Sequence, residues 1–301
     1  MRVSNQMTVD ASLSDLYRTM DNLMKSQQEL SSQKRVNSPS DDPFSAYKAI
    51  GARSQVSIIE QYSKNIDDIN GWVGATDTAL TSVNEDLQEV RTLAVSAANG
   101  TLDDSQRGTI ADQVDQLRDA IVQLGNTKYT DRYLFSGTNT KTKPFTWSGT
   151  DVTYSGNSAS MNRDIGPGAQ VKTNMTGEEV FMGLTVNGST SNVFKLLNDL
   201  STAMRANNTS SVGDSLLQGV DDALNQVEEK LGQVGATENR LTKMSDALST
   251  LKEKQTTLLS NAEDVDIAEA TINLQTNQNA YQATLAATAK VILPSLIDYL
   301  K

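Results

Sequence analysis

Two pairs of neighbouring carboxylates, Asp41-Asp42 and Asp103-Asp104, are the side chains of this sequence whose type and spacing suit acid–base chemistry. Both pairs stand just before a predicted helix, where an aspartate caps free backbone amides, and the capping reading is much the better one. The chain has no histidine and no cysteine. It therefore offers no imidazole base, no thiolate nucleophile, no disulfide and no member of the commonest class of transition-metal ligand. Gly166-Pro167-Gly168 lacks the lysine and the following helix of a phosphate loop, and reads as a turn. No zinc-ligand, EF-hand or metalloprotease pattern occurs, so no cofactor and no metal is expected. The chemistry on offer is that of surfaces.

Those surfaces are helical. Near the start, Val9, Leu13, Leu16, Met20, Leu23, Gln27 and Leu30 are spaced alternately four and three residues apart. Near the end, Ile267, Thr271, Leu274, Gln278, Tyr281, Leu285, Thr288 and Ile292 repeat the pattern. Such spacing draws one apolar stripe along a helix, as in the seam of a coiled coil. Chain ends are ordinarily loose. Two regular stripes there predict ends that pair with each other and with neighbouring subunits. Met7, Met20 and Met24 suit either an adaptable binding face or ordinary seam packing. The polar seam residues Gln27, Thr76 and Gln278 are open to two readings, a weak pair or a device that fixes register.

Between the ends, VNSPSDDP is dense in turn formers, and Asp42-Pro43 is a strong helix start. From there to about Ala98 the three-four spacing persists through Ile59, Ile66, Val73, Leu80, Leu87 and Ala94. That predicts a helix of about 55 residues, roughly 80 Å long. Gly71 and Gly74 should weaken it locally. Asn99-Gly100 is a stop, and Thr101 to Asp104 resembles a capping box. A shorter helix follows, marked by Ile110, Val114, Leu117, Ile121 and Leu124. Near Tyr129 the character changes. Six of the fifteen aromatic residues fall between Tyr129 and Tyr154, amid short alternating runs, which predicts a small β-rich insert. Its Ser, Thr and Asn content suits a solvated surface, or one that carries sugars. Helical spacing returns at Val193, and a second long heptad run holds from Leu217 through Leu224 and Leu231. It slips near Leu241 and continues through Leu248, Leu251 and Leu258. Ser260 with Glu263 is a candidate cap for the terminal helix.

The expected fold is mainly α, with long antiparallel coiled-coil helices from both arms and a small inserted β-rich tip domain. Three regions are expected: 1–40 with 262–301 as a terminal coiled-coil assembly domain, 41–131 with 190–261 as a helical rod, and 132–189 as the tip. The 301 residues are 37% hydrophobic but only 5% aromatic, which fits long helices with narrow seams better than one large core. A net charge of -11 argues against a nucleic-acid surface. No run approaches the roughly 20 apolar residues of a membrane span, so no membrane insertion is expected. Nothing after Met1-Arg2 resembles a secretory signal peptide.

Three blocks resemble a known family. QKRVNSPSDDPFSAYKAI, from Gln33 to Ile50, is similar to the segment joining the first two helices in the flagellin superfamily. Within it, the SDDP form at Ser40 to Pro43 resembles the hook–filament junction family, that of hook-associated protein 3. So do DRYLFSGTNTKTKPF, from Asp131 to Phe145, and the closing stretch from Ala262 to Leu300. The resemblance spans both helical arms and is faint from about Trp147 to Leu200. It implies a non-enzymatic structural adaptor of the bacterial flagellum, extracellular, exported through the flagellar type III apparatus without a cleaved signal peptide. It also implies assembly as a ring between hook-associated protein 1 and flagellin, with termini that order on assembly. A flagellar export chaperone would cover Leu274, Tyr281, Leu285 and Ile292. A filament-forming flagellin is the nearest alternative. An enzyme housed in the tip, or a long cytosolic coiled coil, has no constellation or pattern to favour it.

Overall fold

A computed structural model describes residues 2–99, 102–149, 151–186 and 189–292 of the chain. It is mainly helical. Helix α1 (Arg2–Ser32) is followed by the 55-residue α2 (Pro43–Ala97) and by α3 (Asp104–Gly125). After the middle of the chain come α4 (Val193–Arg205), the single turn α5 (Thr209–Ser211), the long α6 (Leu217–Glu263) and α7 (Ile267–Ile292).

The described chain divides into two compact units. One holds the residues up to Ile59 and from Thr250 onward, and the other runs from Glu60 to Ser249.

In the Glu60–Ser249 unit, α2 follows the predicted seam closely. Ile66, Val73, Thr76, Leu80, Val83, Leu87, Val90 and Ala94 are all buried. Thr76 satisfies its hydroxyl on the carbonyl of Trp72, at 2.9 Å, so a polar seam residue is buried without an orphaned oxygen. Helix α6 answers with Val220, Leu224, Val227, Val234, Leu241 and Leu248. The Arg91 guanidinium Nε lies 2.5 Å from Asp221 and ties α2 to α6. Leu251 and Leu258, expected to continue the seam, are exposed instead.

The capping box before α3 sits two residues later than expected. Asp103 accepts from the Gln106 amide at 2.7 Å, and the Gln106 side chain accepts from the Asp103 amide at 3.2 Å. Gly100 and Thr101 lie outside the described residues.

Among the described residues, the β-rich middle is four antiparallel two-stranded ribbons and not one sheet. They pair β1 (Lys128–Tyr129) with β2 (Arg132–Tyr133), β3 (Phe145–Trp147) with β4 (Val152–Tyr154), β5 (Asn162–Gly166) with β6 (Ala169–Lys172), and β7 (Leu184–Val186) with β8 (Ser189–Ser191). Pro167-Gly168 makes the predicted turn between β5 and β6, with Gly168 at φ 70. Two-stranded ribbons are marginal alone. Phe145 of β3 joins a fully buried cluster with Phe135, Phe181 and Phe194, whose touching ring centroids lie 5.1–5.5 Å apart, while Tyr129 of β1 meets Trp72 of α2 and Arg240 of α6 donates to the Gln170 carbonyl of β6. Phe194 comes from α4, so the insert borrows its core from a flanking helix. Asn126, just past α3, pairs like a strand residue with Phe145: its side-chain oxygen accepts from the Phe145 amide and its nitrogen donates to the Phe145 carbonyl, both at 3.0 Å.

Candidate assembly surface

The unit that holds both chain ends is built on α1 against α7. The two helices run antiparallel, because Lys34 pairs with Asp264 and Ser26 with Asn277. Both stripes lie on helices, and the single chain covers only one edge of each. The covered edge is small and polar. Ser26 is buried, with its hydroxyl 2.7 Å from the Asn277 amide nitrogen, and Ala270 and Thr288 are buried opposite. Val9, Leu13, Leu16, Leu23 and Leu30 on α1, with Leu274 and Tyr281 on α7, are half-buried. The open edge carries larger groups. Met20, with its neighbours Tyr17 and Met24, is exposed on α1, and Ile267 (53%) and Leu285 (48%) are exposed on α7. The side chain of Ile292 lies outside the described residues.

Of the large apolar side chains that are exposed among the described residues, all but Val95 and Tyr129 belong to this unit. A stable single chain does not gather them so. The open edge is therefore a candidate interface, and it shares Met20, Ile267 and Leu285 with the stripe predicted from spacing. Gln27 sits on the exposed side, and Gln278 is half-buried.

Where the helix pair meets the rest of its unit, a clasp fixes it. Glu263, at the end of α6, has a side chain only 8% exposed. Lys34 lies 2.9 Å from one of its carboxylate oxygens, and Arg53 of α2 donates to the other. The connector after α1 also pairs through its backbone: the Arg35 amide donates to the Glu263 carbonyl at 2.7 Å, and the Val265 amide to the Gln33 carbonyl at 3.1 Å. Gln33 takes φ 58 to turn the chain there. The Arg35 guanidinium reaches the Ala262 carbonyl, Ser45 and Asp42.

The two aspartates of SDDP hold the connector from its other end. Asp42 caps α2, accepting from the Phe44 and Ser45 amides at 3.1 Å each. Its hydrogen bonds from Ser45, side chain and amide, hold its carboxyl below the ordinary value. Asp41 accepts from the Ser38 amide at 2.8 Å and the Asn37 amide at 3.1 Å, and faces Lys25 at 3.3 Å. The Ser38 bond lowers its carboxyl most, against the opposing effect of burial. Both carboxylates are thus spoken for by structure. The cap of α7 is Asp266, which accepts from the Ala268 amide at 2.8 Å, and not Ser260, which lies inside α6.

Sequence reasoning missed Glu263 as a clasp, although Lys34-Arg35 beside SDDP and Glu263-Asp264 in the facing turn were visible as opposite charges. Among the described residues no group of acidic side chains is arranged to hold a metal ion, and no helix is long and apolar enough to cross a membrane.

Comparison with known proteins accounts for this arrangement. The profile of the bacterial flagellin N-terminal helical region matches residues 3–140, and that of the C-terminal helical region matches residues 217–300. The matches leave only the middle of the chain between them. Flagellar hook-associated protein 3 of Escherichia coli is 27% identical over 95% of this chain and 96% of its own length. Flagellin of Bacillus subtilis is 28% identical over 96% of both. A solved flagellar hook-associated protein of Vibrio parahaemolyticus, 28% identical, superposes with a TM-score of 0.68 over 74% of this chain and all of its own. The FlgL structure of Bacillus cereus, 26% identical, gives 0.60 over 70% and 99%. These are structural flagellar proteins and not enzymes. The chain belongs to the flagellin superfamily of structural flagellar proteins and is similar to hook-associated protein 3 over nearly its whole length.

Proposed function

We propose that the chain is the adaptor that joins hook-associated protein 1, at the hook end, to the flagellin filament. It assembles as a ring through its terminal helices. The half-covered stripe of α1 and α7 carries this reading: each helix has an intramolecular partner on its small-residue edge and none, among the described residues, on its large-residue edge. One amphipathic helix is marginal in water, and a polymer supplies the second partner. Val9, Leu13, Leu16, Met20, Leu23, Leu30, Ile267, Leu274, Tyr281, Leu285 and Ile292 are the proposed assembly residues. Before export, a flagellar chaperone covers Leu274, Tyr281, Leu285 and Ile292, so that the stripe stays single in the cytosol. Export proceeds through the flagellar type III apparatus without a cleaved signal peptide. The chain works as three regions: the terminal assembly domain (1–40 with 262–301), the rod (41–131 with 190–261) and the tip (132–189).

Deleting the gene in its native bacterium tests this. Hooks without filaments, with flagellin shed into the medium, are expected. Hooks bearing normal filaments would overturn it.

A filament-forming flagellin is the second reading. The full-length similarity to the Bacillus subtilis flagellin favours it, at 28% identity against 27% for the Escherichia coli hook-associated protein 3. Seeding purified protein separates the two: an adaptor stops at short oligomers, and a flagellin grows long filaments.

A further inference from the structure

Arginine in this chain nearly always has a partner. Of the ten arginines whose side chains are described, eight meet a carboxylate or a carbonyl oxygen. The two that do not are Arg132 of β2 and Arg163 of β5, and both line one small cavity in the Glu60–Ser249 unit. Two unpaired cations on one cavity repel each other, in a chain whose net charge of -11 offers many carboxylates.

Trp72 of α2 supplies a third donor. It lines the same cavity and is only 8% exposed. Its indole N–H is buried and has no acceptor among the described residues. A buried donor left without a partner carries its full desolvation penalty and calls for an explanation. Tyr129 stands edge-on to the indole, with ring centroids 6.2 Å apart, and gives it no hydrogen bond. Thr173, also on the cavity, adds no donor, because its hydroxyl donates to the Met161 carbonyl at 3.0 Å. The one acidic side chain on the wall is Asp68 of α2.

We infer that this cavity binds a small monocarboxylate of the size of acetate, with Arg132 and Arg163 on its oxygens and the Trp72 N–H as third donor. The chemistry follows from the donors: the planar guanidinium fork matches the two oxygens of a carboxylate. Size follows from the cavity, which holds about 50 Å³. A water needs about 10–15 Å³ of such space, so about four groups of that size fit, as many as acetate has heavy atoms. Charge follows from Asp68, which repels a phosphate dianion twice as strongly as a carboxylate. Both arginines are exposed, so the ligand enters from solvent and its binding is weak. The inference stands apart from the assembly reading, since none of these residues lies on the terminal helices.

Titration of the isotope-labelled full chain with acetate at constant ionic strength tests it. The chain has two tryptophans, so the indole N–H region holds two resonances, and Trp147→Phe shows which belongs to Trp72. That resonance should move downfield and saturate at millimolar acetate, as an N–H does on gaining an acceptor. Chloride at the same ionic strength should leave it in place. Arg132→Gln with Arg163→Gln should weaken binding by about tenfold or more through loss of the charged donors. Asp68→Asn should tighten it by about threefold to fivefold, the effect of one nearby charge in water. No movement in the parent, with or without movement in Asp68→Asn, would overturn the inference, because Asp68 or solvent then serves the site. So would an equal movement with chloride, a movement that survives loss of both arginines, or phosphate binding more tightly than acetate.

Discussion

Arg53 of α2 donates to Glu263 at the end of α6, across 210 residues of sequence, and Lys34 holds the same carboxylate from the α1 side. One buried acid thus joins three segments of the terminal unit. Its partners are half in solvent, so the pairing is worth less than a fully buried one. Glu263→Gln, which keeps the shape and removes the charge, should lower stability by about 1–2 kcal/mol. Hydrogen exchange should quicken at the Arg35 and Val265 amides, which bond across the same clasp. A urea midpoint and exchange pattern equal to those of the parent would show that Glu263 is a bystander.

Acid should loosen the connector from its other end. Asp41 and Asp42 both titrate below the ordinary carboxylate value of 3.8, because they accept hydrogen bonds from Ser38 and Ser45. A folded value below the unfolded one means that the folded state holds its protons less tightly. The contribution is therefore intact above about pH 3.8 and fades as pH falls toward the lowered folded values. Asp41→Asn with Asp42→Asn should flatten the acid limb of the pH–stability profile in that range and leave the neutral side parallel. An unchanged acid limb would assign acid sensitivity to other carboxylates.

The two edges of the terminal helices should respond differently to substitution. Met20→Ser and Leu285→Ser fall on the open edge, so the single chain should keep its stability to within about 0.5 kcal/mol. Incorporation into flagella should fall sharply. Ser26→Leu falls on the covered edge against Asn277 and should destabilise the helix pair itself by about 1–3 kcal/mol through overpacking. Equal effects of both changes on the isolated chain would mean that the open edge is packed within one copy.

That distinction marks how far the sequence could be read. The stripes, the Asp42-Pro43 start and the 55-residue helix follow from spacing and capping, which are local. The β-rich middle was legible as short alternating runs, but its division into separate ribbons was not, because Phe194 on a later helix completes the core at β3 and the other ribbons lean on α2 and α6. Leu251 and Leu258 keep heptad spacing yet face outward, since a repeat tells which residues share a side and not which side is covered. The same limit hid which edge of each terminal stripe meets the partner helix. The Glu263 clasp needed residues 34, 53 and 263 in one place, and only the fold supplies that. Asp266 displaced Ser260 as the cap because α6 continues through Ser260 to Glu263.

Two glycines at helix positions should behave oppositely when changed to alanine. A Cβ on Gly125 would lie 2.8 Å from the fully buried Phe145 ring, at the end of α3. That ring is hemmed in by Phe181 and Phe194 and has nowhere to go, so Gly125→Ala should destabilise by about 1–3 kcal/mol. Gly232 is inside α6, and a Cβ there meets nothing within 4 Å. Gly232→Ala should therefore stabilise by about 0.5–1 kcal/mol through helix propensity and a less flexible unfolded chain. Thermal melts of the two variants against the parent would decide both, and a stabilised Gly125→Ala would show that the Phe145 cluster is loosely packed.

Arg107 closes the corner between α2 and α3. It is buried, and its guanidinium donates to the carbonyls of Ala97 at 3.1 Å, Asn99 at 3.3 Å and Leu102 at 3.1 Å, and to the Asn207 side chain at 2.7 Å. The carbonyls at a helix C-terminus have no partner within the helix, and a cation placed there also meets the negative end of the helix dipole. Arg107→Met keeps much of the packing and orphans those oxygens, which should lower stability by about 3 kcal/mol. Arg107→Lys keeps the charge but has a single nitrogen in place of the planar fork, so it cannot reach all four acceptors and should recover less than half of the loss. Urea unfolding of the three proteins separates geometry from charge. A lysine variant as stable as the parent would mean that the corner needs only a positive charge, and the fork of hydrogen bonds would lose its assigned role.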